Sequence, residues 1–222
     1  DHLPVGFSGM NDFLDIYCER LEPGFWGEPF NAVTNIAFFI AAFFAFHLAK
    51  KSSGLNWANL LLVVLLAAIG AGSFAFHTLA TESAQLADVI PILLYQLAFL
   101  GLYSRHVMKS SQKSVQSLFF IFLLMIAAVH QVPDDVLNGS VAYFPALFYL
   151  SRFAVWHYRN AAQEKWLLPA AAGTFVLSLT FRSLDMQFCP GMPMGLHFLW
   201  HMLNGLVLYL TARAYILNAR KL

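Results

Sequence analysis

Asn56 to Phe76 reads NWANLLLVVLLAAIGAGSFAF, a stretch without a single Asp, Glu, Lys or Arg. A helix needs about 20 mainly apolar residues to cross the hydrocarbon core of a bilayer, so this stretch alone predicts a transmembrane helix. Similar apolar runs, bounded by charges and turn residues, fall at 31–49, 86–104, 116–132, 141–158, 166–182 and 194–217. Together they make seven, and a chain of this length has room for about seven crossings with short loops. The expected fold class is therefore an all-α membrane protein, with one seven-transmembrane helix bundle over residues 31–222. Residues 1–30 form a separate extramembrane segment, rich in acids and interrupted by Pro4, Pro23 and Pro29. A short amphipathic helix is expected there around residues 10–20, with Phe13, Leu14 and Tyr17 on its apolar side.

Composition agrees with this reading. Of the 222 residues 59% are hydrophobic and 11% charged, against about 45–50% and about 25% in soluble domains. A soluble enzyme and a disordered chain are excluded. A net charge of +1 leaves no basic footprint for nucleic acid. The chain starts at Asp1 rather than Met, which reads as a processed form. Asp12, Asp15, Glu19 and Glu22 interrupt any signal-peptide-like run. No internal repeat is evident.

The basic residues set a direction. An odd number of crossings puts the termini on opposite sides. The side of the C-terminus receives 11 of the 13 basic residues, all except Arg20 and Arg182. Positive charge is retained in the cytoplasm, so the C-terminus is expected there and the N-terminus outside or in a lumen. Of the 12 acids only Glu164 falls on the cytoplasmic side. Either a cation site or a plain solvated acidic face on the outer side accounts for that asymmetry. Cys18 and Cys189 both fall on the outer side, where disulfides persist. A bridge between them and two free thiols are both compatible with the sequence.

Candidate chemistry gathers at the outer end of the bundle. Ser73 and His77 close the second span, Asp88 opens the third, and His197 and His201 open the seventh. Side chains four apart share a helix face, so His197 and His201 can chelate one ion. A third imidazole, His77, completes the ligand set of a catalytic zinc that keeps an open position. The plainer alternative is that each His is a hydrogen-bonded helix-packing residue. Ser73, next to Gly70 and Gly72, reads equally well as a small packing residue. His47, His106 and His157 lie toward the opposite face, and His130 near the outer end of span four has at most a supporting role. A retinal protein is disfavoured because no Lys lies inside the seventh span.

Several fragments together carry a resemblance: Tyr17-Cys18-Glu19, Glu28-Pro29-Phe30-Asn31 with Thr34-Asn35, Gly72-Ser73 with Phe76-His77, Asp88-Val89-Ile90-Pro91, Phe188-Cys189, and His197 with Trp200-His201. In this order and spacing the sequence resembles the alkaline ceramidases, a family in a superfamily that also holds the adiponectin and progestin receptors. The resemblance implies zinc bound by His77, His197 and His201, with Ser73 and Asp88 as the accompanying catalytic pair. It also implies a Cys18–Cys189 disulfide and a calcium site using Glu19 and Glu28. Where the family pattern has Asp and Asn, this chain has Ile16 and Leu21, leaving Asp15 or Asp12 to supply a further calcium oxygen. Asn31 is also a candidate cap for the first span.

The expected activity is metal-assisted hydrolysis of a lipid amide, ceramide or a related N-acyl lipid. It would release a fatty acid and a sphingoid-type amine. Asp88 would be the proton shuttle and Ser73 the oxyanion donor. The alternative is a receptor or sensor of the same superfamily with structural zinc. The short cytoplasmic loops and the N-terminal segment placed outside favour the hydrolase. A transporter would be expected to show repeat symmetry or broken helices.

Overall fold

The computed structural model describes residues 14–52, 54–133 and 135–219. Among them there is no β-strand, and each apolar run of the sequence forms one long helix. A short helix, α1 (Pro29–Thr34), leads into α2 (Ile36–Ser52), with Pro29 at the first helical position, where a missing N–H costs nothing. The following helices are α3 (Trp57–Leu79), α4 (Glu82–Leu102), α5 (Gln112–Val129), α6 (Phe144–Asn160), α7 (Leu167–Phe188) and α8 (His197–Asn218). A π-turn over Tyr103–Val107 extends α4, and a 3-10 segment, Val136–Tyr143, precedes α6. Caps fall where the sequence puts short polar side chains: Asn56, Thr81 and Ser111 accept from the backbone three residues on.

Among the described residues five stretches are long and apolar enough to cross a membrane: Pro29–Ser52, Trp57–Leu79, Glu82–Val107, Gln112–Val129 and Leu167–Phe188. α6 and α8 dilute their apolar surface with Arg152, His157 and Arg159, and with His197, His201, Asn204 and Arg213. Large apolar side chains such as Phe43, Val64, Leu94, Leu124, Leu177 and Leu206 point outward. That is the surface of a bundle bathed in lipid rather than water.

The helices close into a ring. α2 packs on α3 and α8, α3 on α4, α7 on α8 and α6, while α5 touches α4 and α6 only lightly. Small residues set the close approaches. Ala41, Ala42, Ala45 and Ala49 form the buried face of α2, and a Cβ on Gly205 of α8 would press on Ala37. Lipid tails are as apolar as any side chain, so such packing, not hydrophobicity, draws membrane helices together.

The N-terminal segment departs from expectation. Residues 14–28 are turns and extended chain rather than a helix; Phe13 and Asp12 lie outside the described residues. The segment lies across one end of the bundle because it is tied there. Leu14 N–H donates to the Ala80 carbonyl, Cys18 N–H donates to Asp185, and a disulfide joins Cys18 to Cys189. Those long-range bonds replace the local ones a helix would have used.

A candidate metal centre at one end of the bundle

The site is built where α3 ends and α8 begins, under the N-terminal segment. His77 sits in the last turn of α3, and His197 and His201 in the first two turns of α8. All three are at most 2% exposed. Their ligand atoms lie within 4.8 Å of one another, and their ring centroids are 4.6–5.2 Å apart. One nitrogen on each ring is buried without a hydrogen-bond partner: Nε2 of His77, Nδ1 of His197 and Nε2 of His201. Buried polar nitrogens normally find partners, and three converging orphans fit a bound cation. An all-imidazole set of three suits a catalytic zinc with an open fourth position.

The remaining nitrogens are held from behind. Nδ1 of His77 lies 2.5 Å from Oε2 of Glu28, and Nδ1 of His201 lies 3.1 Å from the Thr34 hydroxyl. That hydroxyl donates to the Phe30 carbonyl at 2.7 Å, so it accepts from His201. Each contact puts the proton on Nδ1 and leaves the Nε2 lone pair facing inward. Metal-ligating histidines are oriented in this way. His197 is fixed instead by stacking on the Tyr17 ring, 3.6 Å between centroids.

Ser73 and Asp88 stand beside the histidines. Ser73 is buried one turn before His77 on α3, next to the Asp88 carboxylate of α4, which is within electrostatic reach of His77. Oδ1 of Asp88 is a fourth buried polar atom without a partner. Gly72 makes this meeting possible, because any Cβ there would overlap the Ala87 carbonyl of α4. The structure thus brings together Ser73, His77, Asp88, His197 and His201.

The carboxylates assigned to calcium behave differently. Glu28 receives Nε of Arg20 on Oε1 at 2.5 Å and Asn31 Nδ2 on Oε2 at 3.0 Å, besides His77. Burial raises its pKa, but His77, Asn31 and Arg20 outweigh burial and hold it below the usual carboxylate value. Glu19 accepts the N–H groups of Phe30 and Asn31 at 2.6 and 2.8 Å, and so caps α1 from a distance. Burial pushes the Glu19 pKa up against those bonds. Asn31 is therefore inside α1 and bonded to Glu28, not a cap. Asp15 is exposed. Among the described residues only the three histidines gather as a group of three or more metal-binding side chains. Of the expected calcium residues, Glu19 and Glu28 lie together, both bonded to Asn31, and Asp15 is not grouped with them.

Five residues have roles that the sequence reading missed. Arg20 is buried, and besides Glu28 it donates to the carbonyls of His77 at 2.7 Å and Gly24 at 3.2 Å. Asp185 is wholly buried and accepts from the N–H groups of Cys18, Leu196 and His197, anchoring both the N-terminal segment and the start of α8. Gly195, at φ 61°, shapes the turn; a Cβ there would run into that carboxylate. Arg182 and Thr34 complete the group. An Arg and an Asp three apart in an apolar helix were the available signal.

The other histidines serve elsewhere. His157 meets the Tyr103 hydroxyl at 2.5 Å and His106 the Tyr215 hydroxyl at 2.8 Å. His47 and His130 turn back to carbonyls of their own helices.

An apolar cavity opens near the histidines, with Phe38 and Trp200 between them and its interior. Phe38, Tyr143 and Trp200 line its near end, and Ile92, Phe99 and Leu150 lie further along its wall. Trp200 stands in the helical turn between His197 and His201, and the Phe38 ring is 6.3 Å from that of His201. Set against known proteins, residues 23–220 match the sequence model of the family described as Ceramidase. No curated protein matches the chain.

Proposed function

The chain belongs to the ceramidase family, and from that membership we propose that it is a zinc-dependent membrane amidase. It hydrolyses ceramide or a related N-acyl lipid to a fatty acid and a sphingoid-type amine. The observation that carries this reading is the convergence of three orphaned imidazole nitrogens and one orphaned carboxylate oxygen beside an apolar cavity. The cavity suits an acyl chain, with the amide at the histidines.

His77, His197 and His201 would hold the ion. A bound zinc supplies a Lewis acid that polarises the amide carbonyl and makes a water more acidic. Oδ1 of Asp88 takes the proton of the attacking water and delivers it to the leaving nitrogen. The water oxygen bonds to the carbonyl carbon, the C–N bond breaks, and acid and amine result. The Ser73 hydroxyl donates to the carbonyl oxygen as it gains negative charge. Glu28 and Thr34 keep two imidazoles in the ligating tautomer.

The same reading has α2 to α8 each cross the membrane, with the N-terminal segment and the metal centre on the outer or lumenal face. The distribution of Lys and Arg along the sequence supports that orientation. The decisive experiment measures metal content by mass spectrometry and fatty-acid release from ceramide, for wild type and His201→Ala. One zinc per chain and release, both lost in the variant, are expected. Zinc without release from any N-acyl lipid overturns the amidase reading.

A further inference from the structure

Arg182 is a buried cation that forms no ion pair among the described residues; the Asp88 carboxylate acts on it only from a distance. It projects from α7 into the interior, 8% exposed, and among the described residues no carboxylate pairs with it. Its Nη1 donates to the Asn138 carbonyl and to Ser140 Oγ at 3.1 Å. Its Nη2 reaches only the Tyr17 hydroxyl, at 3.5 Å, and its Nε is buried without a partner. The rings of Tyr17, Tyr143 and Trp200 surround the guanidinium at 5.4–5.9 Å. They stabilise the cation without neutralising it.

An unpaired charge in the membrane interior is expensive and marks a functional group. The edge away from Nη1 is informative, because Nε has no partner and Nη2 has only a long bond to Tyr17. Nε and Nη2 form the fork that receives a carboxylate through two parallel N–H···O bonds. The contacts of Nη1 to the 3-10 segment meanwhile hold the plane of the group still.

Position supplies the ligand class. Tyr17, which meets Nη2, stacks on His197. Tyr143 and Trp200, which flank the guanidinium, line the near end of the apolar cavity. Arg182 therefore stands where the cavity meets the metal centre. A chain lying in the cavity with its head at the histidines puts that head against this residue.

We propose that Arg182 is the carboxylate-binding residue of the site, and that its Nε–Nη2 edge holds the fatty acid released by hydrolysis. The assignment rests on the amidase reading and adds a residue to it. It makes free long-chain fatty acid a ligand of the resting protein and a competitive product inhibitor.

The test uses full-length purified protein with oleate, and with methyl oleate, which has the same tail and no charge. Wild type should bind oleate at least about tenfold more tightly than the ester, the scale of hydrogen bonds to a charged group. Arg182→Gln should lose that preference and leave ester binding unchanged, and Arg182→Lys should keep part of it. Repeating the titration with chelator present separates any contribution of the metal to carboxylate binding. Equal binding of oleate and methyl oleate by wild type overturns the proposal and needs no variant to fold. Preference for oleate that survives in Arg182→Gln overturns it as well. Absence of amide hydrolysis by wild type overturns instead the reading on which it rests, and the two failures are told apart because binding is measured without turnover.

Discussion

The carboxylate of Glu28 bridges an imidazole and a guanidinium: Oε2 lies 2.5 Å from Nδ1 of His77 and Oε1 2.5 Å from Nε of Arg20. One side chain in the N-terminal segment thus orients His77 on α3 and neutralises a buried cation. Glu28→Gln keeps the shape and removes the charge. It should weaken zinc binding by about 10–100-fold, as loss of such outer contacts does; competition with a chromogenic chelator measures it. Glu28→Ala also strands Arg20, and should cost about 3–5 kcal/mol of stability, read from denaturant midpoints.

His197→Ala and His201→Ala should each abolish bound zinc and hydrolysis. Asp88→Ala should retain zinc, since Asp88 is outside the ligand set, and lose about 10²–10⁴ in rate. Full turnover by Asp88→Ala would end the proton-shuttle assignment. Ser73→Ala should retain zinc and lose about 10²–10³ in rate.

Gly72→Ala should act through packing alone. The added methyl meets the Ala87 carbonyl, so α3 and α4 must move apart where Ser73 and Asp88 face each other. A loss of about 1–3 kcal/mol is expected for overpacking. It should come with a fall in hydrolysis at unchanged metal content. Wild-type stability in this variant would show that the contact relaxes freely.

Calcium should have little effect. The oxygens of Glu19 and Glu28 are taken by backbone N–H groups, Arg20, Asn31 and His77. The melting temperature should be the same in calcium and in a calcium-selective chelator. A rise of several degrees with calcium would show that these carboxylates exchange their partners for the ion.

Glu164 and Arg213 form a half-exposed ion pair at the opposite end. Arg213 holds the Glu164 pKa below its ordinary value. The pair's contribution is then complete above the usual carboxylate range and is lost as pH falls through the folded-state value. At this exposure it should amount to about 0.2–1 kcal/mol. Glu164→Gln should melt slightly below wild type at pH 7, and the gap should close in acid.

Hydrophobic run length was enough to find every long helix, because a membrane helix needs little more than continuous apolar sequence. The ends were harder. The span read as 166–182 runs to Phe188: Asp185, which looks like a terminator, is satisfied by backbone N–H groups, and Arg182 is held by Asn138, Ser140 and three aromatic rings inside the protein. The histidine cluster was legible because His197 and His201 follow helix periodicity and His77 shares their depth. The supporting residues were not. Glu28 on His77, Thr34 on His201 and Asp185 on His197 N–H are pairings between distant segments, which local pattern does not encode. The same holds for residues 14–28, whose conformation is imposed by α3, α7 and α8.

The three clustered histidines come from helices far apart in the sequence, His77 on α3 and His197 and His201 on α8. During synthesis a membrane-inserted chain that ends before α8 owns one imidazole of the three and has no counterpart for Cys18 until residue 189 emerges. Gathering all three imidazoles and closing the disulfide therefore wait until α8 and Cys189 have been made. A chain that stops before α8 keeps one imidazole of the three and should hold no metal, so bound metal would report whether α8 is in place.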